Sequence, residues 1–183
     1  EESIARRYVD HARRIAETNA LAPTGHGALL LARGAAWREL GELAHAEHAL
    51  RLAAAAADAA PAVVALADAR RAELLEIRGD TSAAEAALRH ALSRLGDRLV
   101  EASARAARAE ILSRLAHVLR REGRLDEARG AIDEAAAMFA DLGRVGGQAA
   151  AAYERGVIAM FQGRAGEAQG RLRHHGRGSL ADA

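Results

Sequence analysis

The sequence predicts an all-helical protein built as a solenoid of paired helices, on three observations. Alanine is by far the commonest of the 183 residues, aromatics make up 3%, and proline occurs only at 23 and 61, a composition that favours helix and starves strands of the residues they prefer. Half of the chain is apolar, enough for a sizeable core at this length. The glycines at 41, 79, 123 and 163 are each followed, at fixed distances, by the same kinds of residue. Repeats of this length are the mark of solenoids.

The repeated offsets say how each unit is built. Five residues after each glycine stand Ala46, Ala84, Ala128 and Ala168, and nine after stand Leu50, Leu88, Ile132 and Leu172. Seven residues before it the position is always small: Gly34, Ala72, Ala116 and Gly156. Four before it come Trp37, Leu75, Leu119 and Ala159. Small residues at two fixed places let paired helices approach closely, and the aliphatics fill the contact. The glycine suits the left-handed backbone position just past a helix end.

In chain order, Ala5, Val9 and Ala12 reproduce the offsets that follow a turn glycine, so residues 4–18 read as the second helix of a pair whose first is missing. That pattern, together with a glutamate at position 1, leads to the expectation of a piece of something longer. Pro23 and two glycines break the chain before a helix expected over 26–40, paired with one over 43–58. Pro61 opens the next helix, to Arg78, at a position where a missing N–H costs nothing. Thr81 or Ser82 is expected to cap its partner over 82–95, with Glu85 completing a capping box. The third pair is expected over 98–122 and 126–142, with Asp126 and Glu127 matched to a helix N-terminus. The fourth covers 145–162 and 165–173. The Gly143, Gly146 and Gly147 cluster reads as an inter-helix loop, and residues 174–183 as a polar, frayed tail.

These residues resemble the tetratricopeptide repeat. The resemblance rests on the small residue before each turn glycine, the glycine, the alanine and aliphatic after it, and a further alanine at 53, 91 and 135. It covers residues 4–173 and implies one array: a right-handed α-solenoid of antiparallel helix pairs, about nine helices in all. The glycines lie 38 to 44 residues apart, longer than the usual period of the family, and the first-helix aromatic appears only as Trp37. Long, alanine-rich repeats of this kind look like those of large bacterial signalling and transcription regulators.

The resemblance implies a concave groove lined by first helices, where a protein or peptide segment docks. Residues ten, six and three before each glycine are expected to face it, and Arg38, Glu73, Glu76, Ser113, His117, Arg120 and Tyr153 are its polar members. Arg38, Arg120 and His117 are the expected anion contacts, and Tyr153 an apolar anchor. The family's clamp for a C-terminal carboxylate needs lysines and asparagines, whereas this chain has no lysine and only Asn19. The resulting expectation is a scaffold module of a larger bacterial regulatory protein. The alternative is a small-molecule-sensing domain, which would need an enclosed and largely apolar pocket. Self-association through exposed repeat ends is a third possibility.

Other chemistries find little support. The 26 basic residues, all arginine, face 25 acidic ones, a balance unlike the basic excess of a nucleic-acid binder. The arginines at 105, 108, 114, 120, 121 and 124 are locally dense, but Glu101, Glu110 and Glu122 interleave them and stacking aromatics are scarce. His45 and His48 have a spacing that could share a metal, yet no second pair matches them. No serine, histidine and acid set, HExxH or phosphate-binding loop occurs, so neither enzyme activity nor a cofactor is expected. There is no cysteine, no span of about 20 apolar residues and no leader-like stretch over 1–20; a cytoplasmic location, away from membranes, is the resulting expectation.

Overall fold

Seven helices follow one another without a strand in the computed structural model, which describes residues 27–56, 59–96 and 101–178, with 164–178 as backbone only. They are α1 (Gly27–Glu39), α2 (Leu43–Ala55), α3 (Pro61–Ile77), α4 (Thr81–Leu95), α5 (Ala102–Arg121), α6 (Leu125–Asp141) and α7 (Val145–Gly178). The expected helix at 4–18 lies outside the described residues. Each helix packs on its sequence neighbours; in addition α1 touches α3, α3 touches α5, and α5 touches α7. Among the described residues, α2, α4 and α6 pack only against the helices before and after them, apart from Arg89 of α4 reaching Glu127 of α6. The odd-numbered helices therefore share a side of the molecule that no even-numbered helix covers.

The turns follow from backbone chemistry. Gly41, Gly79, Gly123 and Gly143 all take positive φ, between 64° and 86°, where a side chain would clash with the backbone. At each, the following N–H reaches back to the carbonyl of Trp37, Leu75, Leu119 or Phe139, the bond that closes a Schellman turn. Gly143 thus ends α6 with the same turn, where the repeat offsets placed none, while Gly146 and Gly147 lie inside α7 rather than in a loop. Pro61 is the first residue of α3, as expected. The expected capping box at α4 does not form: Asp80 is the cap, accepting from Ala83 N–H at 2.9 Å, and Glu85 instead binds Arg89 and Arg124.

The fourth turn is absent. Residues 145–162 and 165–173, expected as two helices, form one helix that runs through Gly163. The other turns place a large apolar residue four before the glycine and, at three of them, another two after it: Trp37 and Leu43, Leu119 and Leu125, Phe139 and Val145. Ala159 and Ala165 occupy those places here. Lacking the large apolar side chain that the other four turns all place four before the glycine, the expected turn at Gly163 has nothing to offset helix propagation, one hydrogen bond per residue fixed, and the helix continues.

The core is made of the repeated offsets. Ala46, Leu50, Ala84, Leu88, Ala128 and Ile132 are all 0% exposed, as are Ala72 and Ala116. A Cβ on Gly34 would stand 2.5 Å from Leu50 Cδ2, so the glycine makes room for the leucine. Burial of each such aliphatic contributes roughly 1.5–3 kcal/mol, and the alanines contribute mainly by letting backbones close to contact distance. We expect Ala128→Arg to lower stability by at least about 1–3 kcal/mol through overpacking, read as a fall in melting temperature. Gly123→Ala meets no atom within 4 Å and tests backbone strain alone; it should cost about 1 kcal/mol.

Candidate functional site

The shared side of α1, α3, α5 and α7 forms an open trough of about 870 Å³. Helical spacing builds its floor. Glu73 and Glu76 stand three apart on α3, and Arg114, His117 and Arg121 recur at three and four on α5, so each set projects from one face. Arg38 comes from the last turn of α1, and Tyr153 and Glu154 from α7. Arg38, Glu73, Glu76, Ser113, His117 and Tyr153 all line the trough, as expected from their offsets.

Arg120 does not line it. Its guanidinium lies 5.7 Å from the centre of the Phe161 ring, and its Nε donates to Glu154 at 2.6 Å. With its side chain 15% exposed, it is a bracket between α5 and α7 rather than an open anion contact. The reason is Glu154, a carboxylate on the neighbouring helix whose position follows from how α7 packs and from no repeat offset. Met160, from the same offset as Arg120, is 57% exposed and also outside the trough. Leu31 packs into the apolar cluster around Leu50, and Ala69 is 1% exposed.

Three guanidinium groups converge on one buried carboxylate. Glu73, with its side chain 8% exposed, has Arg114 at 2.8 Å, Arg38 at 3.1 Å and Arg70 at 3.2 Å. Glu39 pairs with Arg38 as well, so three positive charges meet two negative ones in direct contact, a surplus of one, with Glu110 acting on Arg114 from farther off. Burial holds Arg114 below the usual arginine range while Glu73 opposes that shift, and guanidinium stays charged in proteins in any case. Arg70 was not visible as a site residue in the sequence because it lies three residues from Glu73, off the repeat offset.

His117 lies between two acids from different helices. Its Nε2 is 3.9 Å from Glu76 and its Nδ1 3.8 Å from Glu154. Arg120 Nη2 also approaches Nδ1 at 3.1 Å. Burial pushes the Glu76 carboxyl above its ordinary 4.5, with the Glu73 charge adding to the effect and His117, Arg121 and Arg114 opposing it.

The other polar groups singled out from sequence are engaged elsewhere. His45 lies 3.5 Å from Glu42 and its ring centre 4.9 Å from that of Trp37, while His48 contacts Arg51. The dense arginines are partnered one by one: Arg105 with Asp141, Arg108 with Glu134, Arg121 with Glu76, and Arg124 with Glu85 and Glu127. Acids from α3, α4 and α6 thus neutralise a run that looks basic along the chain. No helix among the described residues is long and apolar enough to cross a membrane.

The raised Glu76 carboxyl fixes a sign for pH dependence. A group that binds its proton more tightly when folded contributes stability below its unfolded value, and that contribution is lost as pH rises through the folded one. Ionised Glu76 is therefore unfavourable at neutral pH relative to its protonated form. Urea denaturation should find the gain of Glu76→Gln over the parent larger at pH 7 than at pH 4.

No protein-family model matches the chain, and no curated protein matches its sequence.

Proposed function

We propose that this chain is a protein- or peptide-binding scaffold module of tetratricopeptide type, a right-handed α-solenoid whose trough holds an acidic segment of a partner. Function here is docking rather than catalysis. The observation that carries the reading is the convergence of Arg38, Arg70 and Arg114 on the single Glu73 carboxylate at the trough floor. The three guanidinium groups are only partly exposed and are held in place by Glu73, so a partner carboxylate arriving among them forms charge-assisted contacts with little ordering cost. The resemblance of the repeats to arrays in bacterial regulators supports a docking role in signalling.

The trough walls add apolar contact at one end. Ile77 and Tyr153 line it and are 55% and 74% exposed. An extended segment with a carboxylate side chain and an apolar side chain beside it matches both features. The small-molecule alternative gains no support, because the trough is open to solvent and its floor is charged, unlike enclosed, mostly apolar ligand cavities.

Selection from a random peptide library on the full chain tests the proposal. Enriched peptides should carry Asp or Glu, and fluorescence anisotropy should show that Arg70→Glu weakens them at least about tenfold, roughly 1.4 kcal/mol, with affinity falling as salt rises. Enrichment of peptides without acidic residues, or binding unchanged by Arg70→Glu, would overturn it.

A further inference from the structure

Two sides of α3 carry different cavities. The trough takes Arg70, Glu73 and Ile77, whereas Asp68, Arg71, Leu75 and Arg78 recur at three and four on another side of the helix and line a second cavity of about 110 Å³, smaller and more enclosed than the trough. The stacking explains it. Among the described residues α2 and α4 both pack on α3 and not on each other, so a gap remains between them over α3. The equivalent gap between α4 and α6 is crossed by Arg89 to Glu127 at 3.6 Å and by Arg124 to Glu85 at 2.6 Å. The gap between α2 and α4 holds the cavity instead, with Leu74, Leu75 and the short side chain of Ala87 as its apolar lining.

The charges around this cavity do not cancel. Glu47, on α2, is taken by Arg78 at 2.5 Å, and that hydrogen bond holds its carboxyl below the ordinary 4.5 against the opposing effect of burial. Asp68, with its side chain 11% exposed, is taken by Arg94 at 3.0 Å, with the His90 ring at 4.0 Å. Arg71 is left with Asp68 at 3.6 Å from its Nη1, beyond hydrogen-bond length, and its Nε is buried without a hydrogen-bond partner. Three guanidinium groups thus meet two carboxylates in direct contact, and the poorly matched one is Arg71. A buried donor without an acceptor costs free energy that an arriving acceptor returns. A carboxylate suits a guanidinium best, because its two oxygens accept from two N–H groups of the planar fork.

We infer that this cavity is a binding site for a small organic acid, its carboxylate on Arg71 and a short apolar stem against Leu74, Leu75 and Ala87. Size sets the class of ligand. A volume of about 110 Å³ is the room of about four water molecules at roughly 30 Å³ each, enough for a carboxylate and two or three further carbons. Charge sets the rest. A surplus of one positive charge matches a monoanion, and Glu47 and Asp68, each already committed to an arginine, repel a second negative group. The apolar lining rewards a stem without polar atoms. The trough lies on another side of α3, so the inference does not depend on what the trough holds.

Titration of the isotope-labelled full chain with sodium propionate at constant ionic strength tests this, read at the methyl signals of Leu74, Leu75 and Ala87 and at the Arg71 Nε–H. These signals should move together and saturate with half-saturation on the order of 1 mM, as befits so small a ligand. Propionamide, of the same shape without the charge, should bind at least about tenfold more weakly. Arg71→Gln, which leaves Asp68 its Arg94 partner, should weaken propionate by a similar factor, and Ala87→Leu, which fills the cavity, should abolish the shifts; circular dichroism checks that both variants keep the parent's helix content. The trough has its own reporter in the Arg114 Nε–H, so binding there is read separately. No saturation at these signals by about 50 mM propionate, equal binding of propionamide, or indifference to Arg71→Gln would overturn the inference. Tighter binding of N-acetylglutamate amide than of propionate would overturn it too, since that probe presents the carboxylate as a partner protein's side chain would and the site would then belong to such a partner.

Discussion

The structure depends on close approach between helices at positions where one side chain is nearly absent. Gly34 against Leu50 is the clearest case, since a single Cβ at 34 would occupy the space of the leucine methyl. Ala72 and Ala116, fully buried, hold the same place in the next two pairs. An alanine-rich core has little transfer free energy per residue to offer, so its cohesion comes from backbones brought close enough for many weak contacts. That makes each pair intolerant of added volume and explains why the small positions, rather than the large ones, repeat most strictly.

Charge is organised by the same stacking. The chain uses arginine alone for its cations, and in the fold those arginines bridge helices: Arg78 to Glu47 on α2, Arg94 to Asp68 on α3, Arg155 to Asp133 on α6. Most such pairs are exposed and add little stability. Three carboxylates are buried, Asp68, Glu73 and Glu154, and the last two line the trough. Glu73 and Glu154 are each held by guanidinium groups, and leaving either without partners would strand a buried charge. What distinguishes the two is stoichiometry: Glu154 is matched by Arg120 and the His117 ring, whereas Glu73 has three cations around it. A surplus at one end of an otherwise balanced surface is the feature on which the docking proposal rests.

The two sides of the first half of α7 differ in what surrounds them. Its first half is clamped against α5 and α6 by Ala151, Glu154 and Ile158, all buried. On the opposite side of that half, Ala149, Ala152, Gly156 and Ala159 are exposed among the described residues. The earlier odd-numbered helices bury the corresponding face under the helix that follows, after a glycine turn with a large apolar residue four before the glycine. With Ala159 in that place, the turn is not formed and the helix runs on.

The sequence by itself determined most of the helices, their paired order and the core. Composition set the secondary structure, and the offsets around each glycine are local rules, since a positive-φ turn and a small-to-large contact within a pair involve residues close along the chain. Six of the seven residues expected to face the groove line the trough for the same reason, because a repeat offset fixes the face of a helix. Tertiary structure decided the rest. That Arg120 is spent on Glu154, that Arg38 and Arg114 join Arg70 at Glu73, and that the basic run of α5 is neutralised by acids from other helices are facts about partners distant in sequence, and no periodicity encodes them. The missing turn at Gly163 belongs here too: the glycine was present, but whether a helix stops depends on the apolar contacts that reward stopping, and those are made only in three dimensions.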